Sequence, residues 1–330
     1  MGMSTASTAD HRDRVLAAMG DVGVDVLLLG REANARYVSG ADRLWLAGTR
    51  PFAPGCVVVR STGAVHVLSI TDDGLPPDLI PDRLYPISWS PLAMLEHVAS
   101  IDGVGDARRI GVDGMTPMFE QVIGAVLGQA ELVDAESILR TVRHTKSPDD
   151  VTGIVAAVDA AEMALAATAR ALRPGTTELQ LQAVYEEAMT AADLTAPAFE
   201  GTFCVAEPGA VPRTFATDRL IIAGDPVHVR AGVMRDGFEG VVARTLVCGG
   251  DPVRSPRLDG TVARCTPGAR VGDVRAAPAD VDGTGMGHEE LFDDDVLAAD
   301  MVVAVAVLVD GVLDGAVVHV TADGPRRLGS

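Results

Sequence analysis

Aromatic side chains are scarce in this sequence. They make up 4% of the 330 residues, whereas hydrophobic residues as a whole reach 48%. The cores must therefore be built mainly from small aliphatic side chains. Basic residues are also few: the sequence has 27 Lys and Arg against 46 Asp and Glu, which gives a formal net charge of −19. Such a charge opposes binding to nucleic-acid backbones and to anionic membrane surfaces. Neither partner is predicted.

Paired cysteines and long apolar runs are also missing. The four cysteines are Cys56, Cys204, Cys248 and Cys265. They form no CxxC pair, so we expect reduced core residues and neither a disulfide framework nor a zinc site. The Val-rich stretch 301–309 is too short to cross a membrane and is predicted as a buried strand. Residues 1–7 lack the charged and apolar regions of a secretory signal, which favours a cytoplasmic location.

Strand and helix signals alternate over the first 143 residues. Residues 1–10 are predicted as a disordered tail, and a helix is predicted from His11. The elements predicted after it are a strand at 24–29, strands at 55–60 and 64–68, a helix at 91–101, a strand at 109–112, a helix at 115–127 and a strand at 131–133. This alternation predicts an α/β domain over 11–143, with a mixed sheet flanked by helices.

A second domain is predicted to begin at residue 144. Ser147 is a favourable helix N-cap, and Pro148 suits the first helical turn. This helix is expected to continue to about Arg173, where a Pro-Gly pair ends it. Another helix is predicted to open at Thr177. The second domain would then occupy 144–330.

Several ordered motifs run along the chain. The segment 224–232 reads GDPVHVRAG and is followed by DGF at 236–238 and ART at 243–245. LRPGTTE at 172–178 and RHTKSP at 143–148 precede them. Together these motifs resemble those of the creatinase/aminopeptidase P/prolidase family, also called the M24 or pita-bread family.

The resemblance implies an α/β (α+β) fold of two domains. A creatinase-like N-terminal α/β domain would occupy 11–143, and a pita-bread domain with a curved antiparallel sheet would occupy 144–330. The family pattern is shortened here between 250 and 283. Within that segment Pro267 and Pro278 interrupt helices that the family normally carries.

The same resemblance implies five metal-ligand positions, none of which carries a usual ligand in this chain. The two Asp positions fall on Arg230 and Val241, the His position on Thr284, and the two Glu positions on Ala306 and Gly315. Divalent metals need carboxylate oxygens or imidazole nitrogens, and a guanidinium repels a cation. The sequence therefore predicts no metal and no other cofactor, and it argues against metallopeptidase chemistry.

Polar residues remain around these positions. Alternation along a strand places His228 on the same face as Arg230, and Glu239 on the same face as Val241. If Arg230 lies opposite Val241, Glu239 is diagonal to Arg230 and within reach of a salt bridge. Such a pair would be either an inert filling of the metal site or part of a functional cluster. We treat His228 and Glu239 as candidate proton-transfer residues.

Arg213 falls where the resemblance places a catalytic or substrate-binding His. Its guanidinium cannot act as a base near neutral pH, but it can bind a carboxylate or phosphate through two hydrogen bonds. The alternative is an ordinary solvated loop residue. Arg213, Arg230 and Thr284 are therefore candidate substrate-binding residues.

In creatinase-like dimers the N-terminal domain of one subunit reaches over the active site of the partner. By that resemblance Trp45 and Arg50 are candidate ligand contacts, although both residue types are common in ordinary interfaces. The sequence favours a metal-independent creatinase/aminopeptidase P-like enzyme that acts on a small anionic, carboxylate-bearing molecule. The alternative is a catalytically inactive pseudo-peptidase that serves as a ligand-binding or partner subunit. Either could be a homodimer or a heterodimer with a paralogue.

Overall fold

The architecture is known from a computed structural model. It describes residues 5–41, 55–68, 74–76, 79, 91–128, 130–194, 196–207, 209–213, 215–275 and 279–329. The chain divides into two compact units, Met1–Arg143 and His144–Ser330. Both combine helices with sheets, which confirms the predicted α/β class.

The first unit is built on a five-stranded mixed sheet. Its elements are α1 (Thr5–Val22), β1 (Val26–Leu29), α2 (Glu32–Ser39), β2 (Cys56–Val59), β3 (Ala64–Val67), α3 (Pro91–Ala99), β4 (Arg109–Val112), α4 (Pro117–Val126), β5 (Glu131–Asp134) and α5 (Glu136–His144). The strand order is β3-β2-β1-β4-β5, with β1 antiparallel to β2 and parallel to β4. In one cluster of buried residues on this sheet Phe119 packs with aliphatic side chains such as Leu95 and Ile110. The strands lie where the apolar runs predicted them.

The first helix differs from its prediction. α1 begins at Thr5, inside the segment 1–10 for which the sequence suggested a disordered tail. The Thr8 side chain is buried against Gly40, and the ring of His11 stacks on that of Tyr37 with centroids 3.9 Å apart. These polar side chains gain packing partners that are distant in sequence, so their local composition did not reveal the helix. Residues 1–4 lie outside the described residues.

The second unit contains two antiparallel sheets with helices packed on them. Its elements are α6 (Pro148–Ala171), α7 (Glu178–Ala191), β6 (Thr202–Val205), β7 (Pro226–Arg235), β8 (Phe238–Val247), α8 (Pro256–Val262), α9 (Val271–Arg275), β9 (Ala279–Gly285), β10 (Gly287–Glu289), β11 (Val302–Val309), β12 (Val312–Thr321) and β13 (Gly324–Leu328). The sheet orders are β6-β7-β8 and β10-β9-β11-β12-β13. Helices α6 and α7 share a core with the first sheet, whereas α8 and α9 share one with the second.

The helix starts in this unit follow the capping signals in the sequence. The Ser147 hydroxyl accepts a hydrogen bond from the Asp150 amide at 3.1 Å, and the Asp150 carboxylate accepts one from the Ser147 amide at 2.8 Å. Thr177 and Gln180 form the same reciprocal box at α7. Each box satisfies amide groups that a helix start leaves unpaired. By length and composition α6 could span a membrane, yet half of its most apolar window is buried, as in the core helix of a globular domain.

The segment between 250 and 283 keeps two helices, both short. α8 has 7 residues and α9 has 5. Leu258 and Val262 of α8 and Val271 and Val274 of α9 are buried in the core of the second sheet. The outer layer over this sheet is therefore thin but packed.

A two-residue turn joins β7 to β8. Asp236 and Gly237 have φ angles of 48° and 94°, and the closing pair is Arg235 with Phe238. Two-residue hairpin loops of the I′ type need positive φ at both central residues, which Asp and Gly tolerate well. The turn therefore sets the register of the whole hairpin.

Candidate functional site

The observed register corrects one prediction about this hairpin. Arg230 lies opposite Ala243, not opposite Val241, and Glu239 lies opposite Met234. The prediction was wrong by two residues because it paired the two positions that the resemblance equates with Asp directly, instead of counting back from the turn. Arg230 and Glu239 are thus at different levels of the sheet and form no ion pair with each other.

Two cavities adjoin on this face of the hairpin and share Thr202 and Arg230. The larger has a volume of about 450 Å³, and its other lining residues are Val211, Pro212, Arg275, Ala279, Asp280, Ala306, Val307, Leu308 and Leu313. The smaller has a volume of about 280 Å³ and is lined also by Ala198, Phe199, Glu200, Glu239, Val241, Asp282, Gly283, Thr284 and Ala304. Arg230 therefore lies where the two cavities meet, and the smaller one carries the carboxylates of Glu200, Glu239 and Asp282.

The positions that the resemblance equates with metal ligands converge on these cavities. Arg230, Val241, Thr284 and Ala306 line them, and Gly315 pairs with Ala306 across β11 and β12. A Cβ atom on Gly315 would lie 2.8 Å from the carbonyl oxygen of Val305, so a side chain there requires a shift of the strand. None of the five residues supplies a carboxylate or an imidazole, and they do not fit a pair of divalent metals.

Among the described residues, no other side chains take the place of the missing metal ligands. No group of three or more His, Cys, Asp and Glu side chains in that part of the chain is arranged to hold a metal ion. The acidic residues of the smaller cavity are spread over its walls, and Asp282 is engaged by Arg275 at 3.0 Å.

Arg230 is paired with Asp280 and not with the predicted Glu239. The Arg230 Nη1 atom lies 2.9 Å from the Asp280 carboxylate, and the two side chains are 39% and 48% exposed. Asp280 reaches this position because β9 pairs with β11, where Asp280 lies opposite Ala306. Sequence reasoning missed Asp280 because β9 is remote from β7 along the chain. An ion pair this exposed adds little stability and leaves the guanidinium open to a competing anion.

Glu239 lies on the wall of the smaller cavity. The Thr284 hydroxyl donates a hydrogen bond to the Glu239 Oε2 atom at 3.2 Å, and both side chains are buried. Thr284, predicted as a substrate-binding residue, thus orients the Glu239 carboxylate. A carboxylate that lines a cavity can accept a proton or bind a hydrogen-bond donor.

A buried ion pair lies beside the Gly-rich strand β9. The Lys146 Nζ atom donates to the Glu289 carboxylate at 2.6 Å, and the two side chains are 3% and 2% exposed. A Cβ atom on Gly285 would lie 2.5 Å from a Glu289 oxygen, so the glycine makes room for this pair. Sequence reasoning missed the pair, although Lys146 belongs to the RHTKSP motif. The glycines of β9 therefore have a packing explanation.

His228 does not line either cavity. Its Nε2 atom lies 2.9 Å from the carbonyl oxygen of Gly311, and the side chain is 2% exposed. Burial lowers the pKa of His228, and the hydrogen bond to Gly311 opposes this only in part. The imidazole is therefore neutral near pH 7 and donates to that carbonyl. The structure brings His228 near the site without exposing it to a ligand.

Arg213 is held away from the cavities by Glu178. Its Nη2 atom donates to the Glu178 carboxylate at 2.6 Å. Glu178 is fully buried and also accepts hydrogen bonds from Val205 and Thr217. Burial alone would raise the pKa of Glu178, but these donors together lower it. Arg213 thus anchors its loop to the first residue of α7. The other two candidates, Trp45 and Arg50, lie outside the described residues.

Family models match both units. The Creatinase/Prolidase N-terminal domain matches residues 11–145, and Metallopeptidase family M24 matches residues 152–281. The chain belongs to the creatinase/aminopeptidase P/prolidase family. This confirms the resemblance drawn from the motifs.

Relatives in this family include two Xaa-Pro dipeptidases of the genus Pyrococcus. The P. horikoshii protein is 23% identical over 241 residues, which cover 72% of this chain and 63% of the relative. The P. furiosus protein is 20% identical over 246 residues, which cover 73% of this chain and 65% of the relative. The chain thus matches slightly less than two thirds of the length of each.

Solved structures of family members share the whole fold. The prolidase from P. horikoshii OT3 superposes with a TM-score of 0.76 at 17% identity, covering 97% of each chain. Dipeptidase PepE from Mycobacterium ulcerans superposes with a TM-score of 0.74 at 21% identity, covering 100% of this chain and 97% of that one. The first unit is therefore a creatinase-type N-terminal domain, and the second is a pita-bread domain, as predicted.

Proposed function

We propose that this family member works without the metal pair and binds a small carboxylate-bearing molecule at Arg230. The observation that carries the proposal is the position of Arg230. This guanidinium replaces a metal-binding Asp of the family and lies where the two cavities meet. Its partner Asp280 is 48% exposed, so a ligand carboxylate can compete with Asp280 for the guanidinium. Arginine binds carboxylates through two parallel hydrogen bonds, which gives both charge and orientation.

The larger cavity supports an apolar body on the same ligand. Val211, Ala306, Leu308 and Leu313 line it, and Val211 is 84% exposed at its wall. An aliphatic or aromatic group placed there would cover apolar surface that water now contacts, at about 25 cal/mol per Å². The proposed ligand class is therefore a small carboxylate with an aliphatic or aromatic tail. Dipeptides, on which the relatives act by name, also end in a carboxylate.

Glu239 supports an enzymatic role on such a ligand. Its carboxylate lines the smaller cavity and is oriented by Thr284 at 3.2 Å. In this proposal Arg230 binds the substrate and Glu239 accepts a proton from it or from water. His228 takes no part, since its ring is buried and hydrogen-bonded to Gly311.

The burial of His228 favours the second candidate function. With His228 outside the cavities, one of the two predicted proton-transfer groups cannot meet a ligand. A catalytically inactive pseudo-peptidase that binds the same carboxylate, alone or as a partner subunit, needs only Arg230. Turnover distinguishes the two functions, because only the enzyme consumes a bound ligand.

The binding proposal is tested by calorimetric titration with hexanoate and benzoate. We expect saturable binding to the wild type and at least about a tenfold loss in Arg230→Met, because a charge-assisted bidentate contact is removed. Arg235→Met is the matched control: it lies on the same strand, is 43% exposed and lines neither cavity. Equal losses in both variants, or no saturable binding of any carboxylate to the wild type, would contradict the proposal.

Turnover is tested by proton NMR on carboxylates that bind. If the chain is an enzyme, a new product accumulates with the wild type, and Glu239→Gln stops it while binding persists. If every bound carboxylate remains unchanged over days, the pseudo-peptidase alternative holds. Product formation that is equal in Glu239→Gln would remove Glu239 from the mechanism.

A further inference from the structure

Of its lining residues that the structure describes, a third cavity of the pita-bread domain shares only Phe199 and Glu200 with the cavities at Arg230. Its volume is about 240 Å³, and it lies between α7, the segment leading into β6, and β7. The lining residues are Gln182, Tyr185, Glu186, Met189, Pro197, Phe199, Glu200, Gly201, Phe203, Phe215, Ala231 and Gly232. Four of them are aromatic, although Phe, Tyr and Trp make up only 4% of the sequence. Aromatic surface is thus concentrated at this cavity.

Two glycines create the space in which these rings lie. A Cβ atom on Gly201 would come within 2.5 Å of the Phe203 ring, and one on Gly232 within 2.8 Å of the Phe199 ring. Tyr185 and Phe203 pack with centroids 5.5 Å apart and planes tilted by 59°. Phe215, by contrast, is 70% exposed. Three rings are therefore fixed by packing, and the fourth borders solvent.

The charges around the cavity are of one sign. Glu186 and Glu200 line it, and no Lys, Arg or His is among the described residues of its lining. Within the described part of the chain neither carboxylate forms an ion pair, and Glu186 accepts a hydrogen bond from Gln182 at 2.8 Å. The Tyr185 hydroxyl is buried and has no hydrogen-bond partner among the described residues. The lining thus combines aromatic rings, carboxylates and one unsatisfied phenol.

We infer that this cavity binds a small quaternary ammonium compound. The faces of aromatic rings attract organic cations, and a methylated ammonium needs no hydrogen-bond acceptor of its own. The two carboxylates add charge complementarity, and the net charge of −19 favours the approach of any cation. A headgroup of choline size suits 240 Å³. The inference does not depend on the ligand of Arg230.

Choline and its neutral carbon analogue 3,3-dimethylbutan-1-ol provide the test, since they differ in charge and hardly in shape. Calorimetry and saturation-transfer NMR on the methyl signals should show saturable binding of choline and at least about tenfold weaker binding of the alcohol. Equal binding of the two compounds would overturn the inference, because shape and apolar area alone would then explain it. Absence of saturable choline binding would overturn it as well.

Variants locate the binding. Phe215→Ala removes an exposed ring without disturbing the core, and we expect at least about a tenfold loss of choline affinity. Glu200→Gln should weaken choline binding too, without removing a ring. Phe292→Ala is the matched control, since Phe292 is 46% exposed and lies outside the cavity. Arg230→Met should keep choline binding, which separates this inference from the proposed function. Equal choline affinity in Phe215→Ala and Phe292→Ala would overturn the assignment to this cavity.

Discussion

Single side chains near the Arg230 site differ most in how far they are buried. Arg230 and Asp280 form an ion pair open to solvent, whereas His228 and Glu178 are enclosed by protein. An enclosed polar group acts on stability through its protonation state and its hydrogen bonds. An exposed ion pair does so only weakly. The enclosed residues are therefore tested by measurements of stability, and the exposed pair by measurements of ligand binding.

His228 should make stability depend on pH in the mildly acidic range. Its folded-state pKa is lowered from an ordinary value of 6.5, chiefly by burial. As pH falls below about 6.5 the unfolded chain takes up a proton that the folded chain resists, so stability is present above that pH and is lost below it. Each unit of pKa depression corresponds to about 1.4 kcal/mol. Denaturant unfolding of the wild type and His228→Gln from pH 8 to pH 5 measures this effect.

The two proteins are compared first at pH 8, where imidazole is neutral in folded and unfolded chains alike. Any difference there reflects contacts, including the hydrogen bond to Gly311. We expect a shallower loss of stability toward pH 5 in His228→Gln. Parallel curves over the whole range would show that His228 does not titrate in this way.

Arg213 should contribute more to stability than an exposed arginine does. Arg213→Met leaves the fully buried Glu178 without its charged partner, and we expect a loss of about 1–2 kcal/mol in the free energy of unfolding. Arg219→Met is the control, because Arg219 and its partner Glu207 are 40% and 55% exposed. We expect it to change stability by less than about 0.5 kcal/mol. Equal effects in chemical denaturation would show that Arg213 is an ordinary loop residue.

At the scale of helices and strands, close contact between α6 and β8 organises the first sheet of the pita-bread domain. A Cβ atom on Gly240 would lie 2.2 Å from the backbone of Ala157. This distance leaves no room for a side chain between the helix and the strand. Glu239, the residue before Gly240 on β8, lines the cavity wall beside this contact.

Gly240→Ala should therefore separate α6 from β8. We expect a loss of about 3 kcal/mol in the free energy of unfolding, because a helix backbone cannot yield as a flexible side chain can. Gly260→Ala in α8 is the matched control, since nothing lies within 4 Å of the added methyl group. There we expect a gain of about 0.5–1 kcal/mol from helix propensity. A tolerated Gly240→Ala would mean that the helix and strand are less tightly packed than described.

Elements with local signals could be predicted from the sequence, and pairings between distant elements could not. Ser147 and Thr177 marked two helix starts because a capping box lies within four consecutive residues. Asp280 was missed as the partner of Arg230 because only the pairing of β9 with β11 brings it there. The positions that the resemblance equates with metal ligands could be assigned because they belong to contiguous motifs. The aromatic cavity could not, because its rings come from three separate segments: α7, the stretch 199–203 and the loop at Phe215.

The whole molecule is proposed to fold and bind without a metal. Metal ions that bind the native state raise its melting temperature by mass action, and their removal lowers it. We expect treatment with EDTA to leave the melting temperature unchanged, and elemental analysis of purified protein to find far less than one metal ion per chain. Stoichiometric zinc, manganese or cobalt, or a large fall in melting temperature with EDTA, would contradict metal independence.

Native mass spectrometry of the same sample tests the proposed dimer, and co-expression with a paralogue tests the heterodimer.

The Asp236–Gly237 connection has a further consequence for changes of chain length. It contains no spare residue, and side chains along β8 point alternately into and away from the cavities. Adding one residue within β8 near this connection would turn Glu239 outward or force a bulge, whereas adding two would preserve its direction and shift it along the wall. Insertions of two residues should therefore be tolerated better here than insertions of one. Libraries that vary this end of the hairpin are best built in steps of two residues.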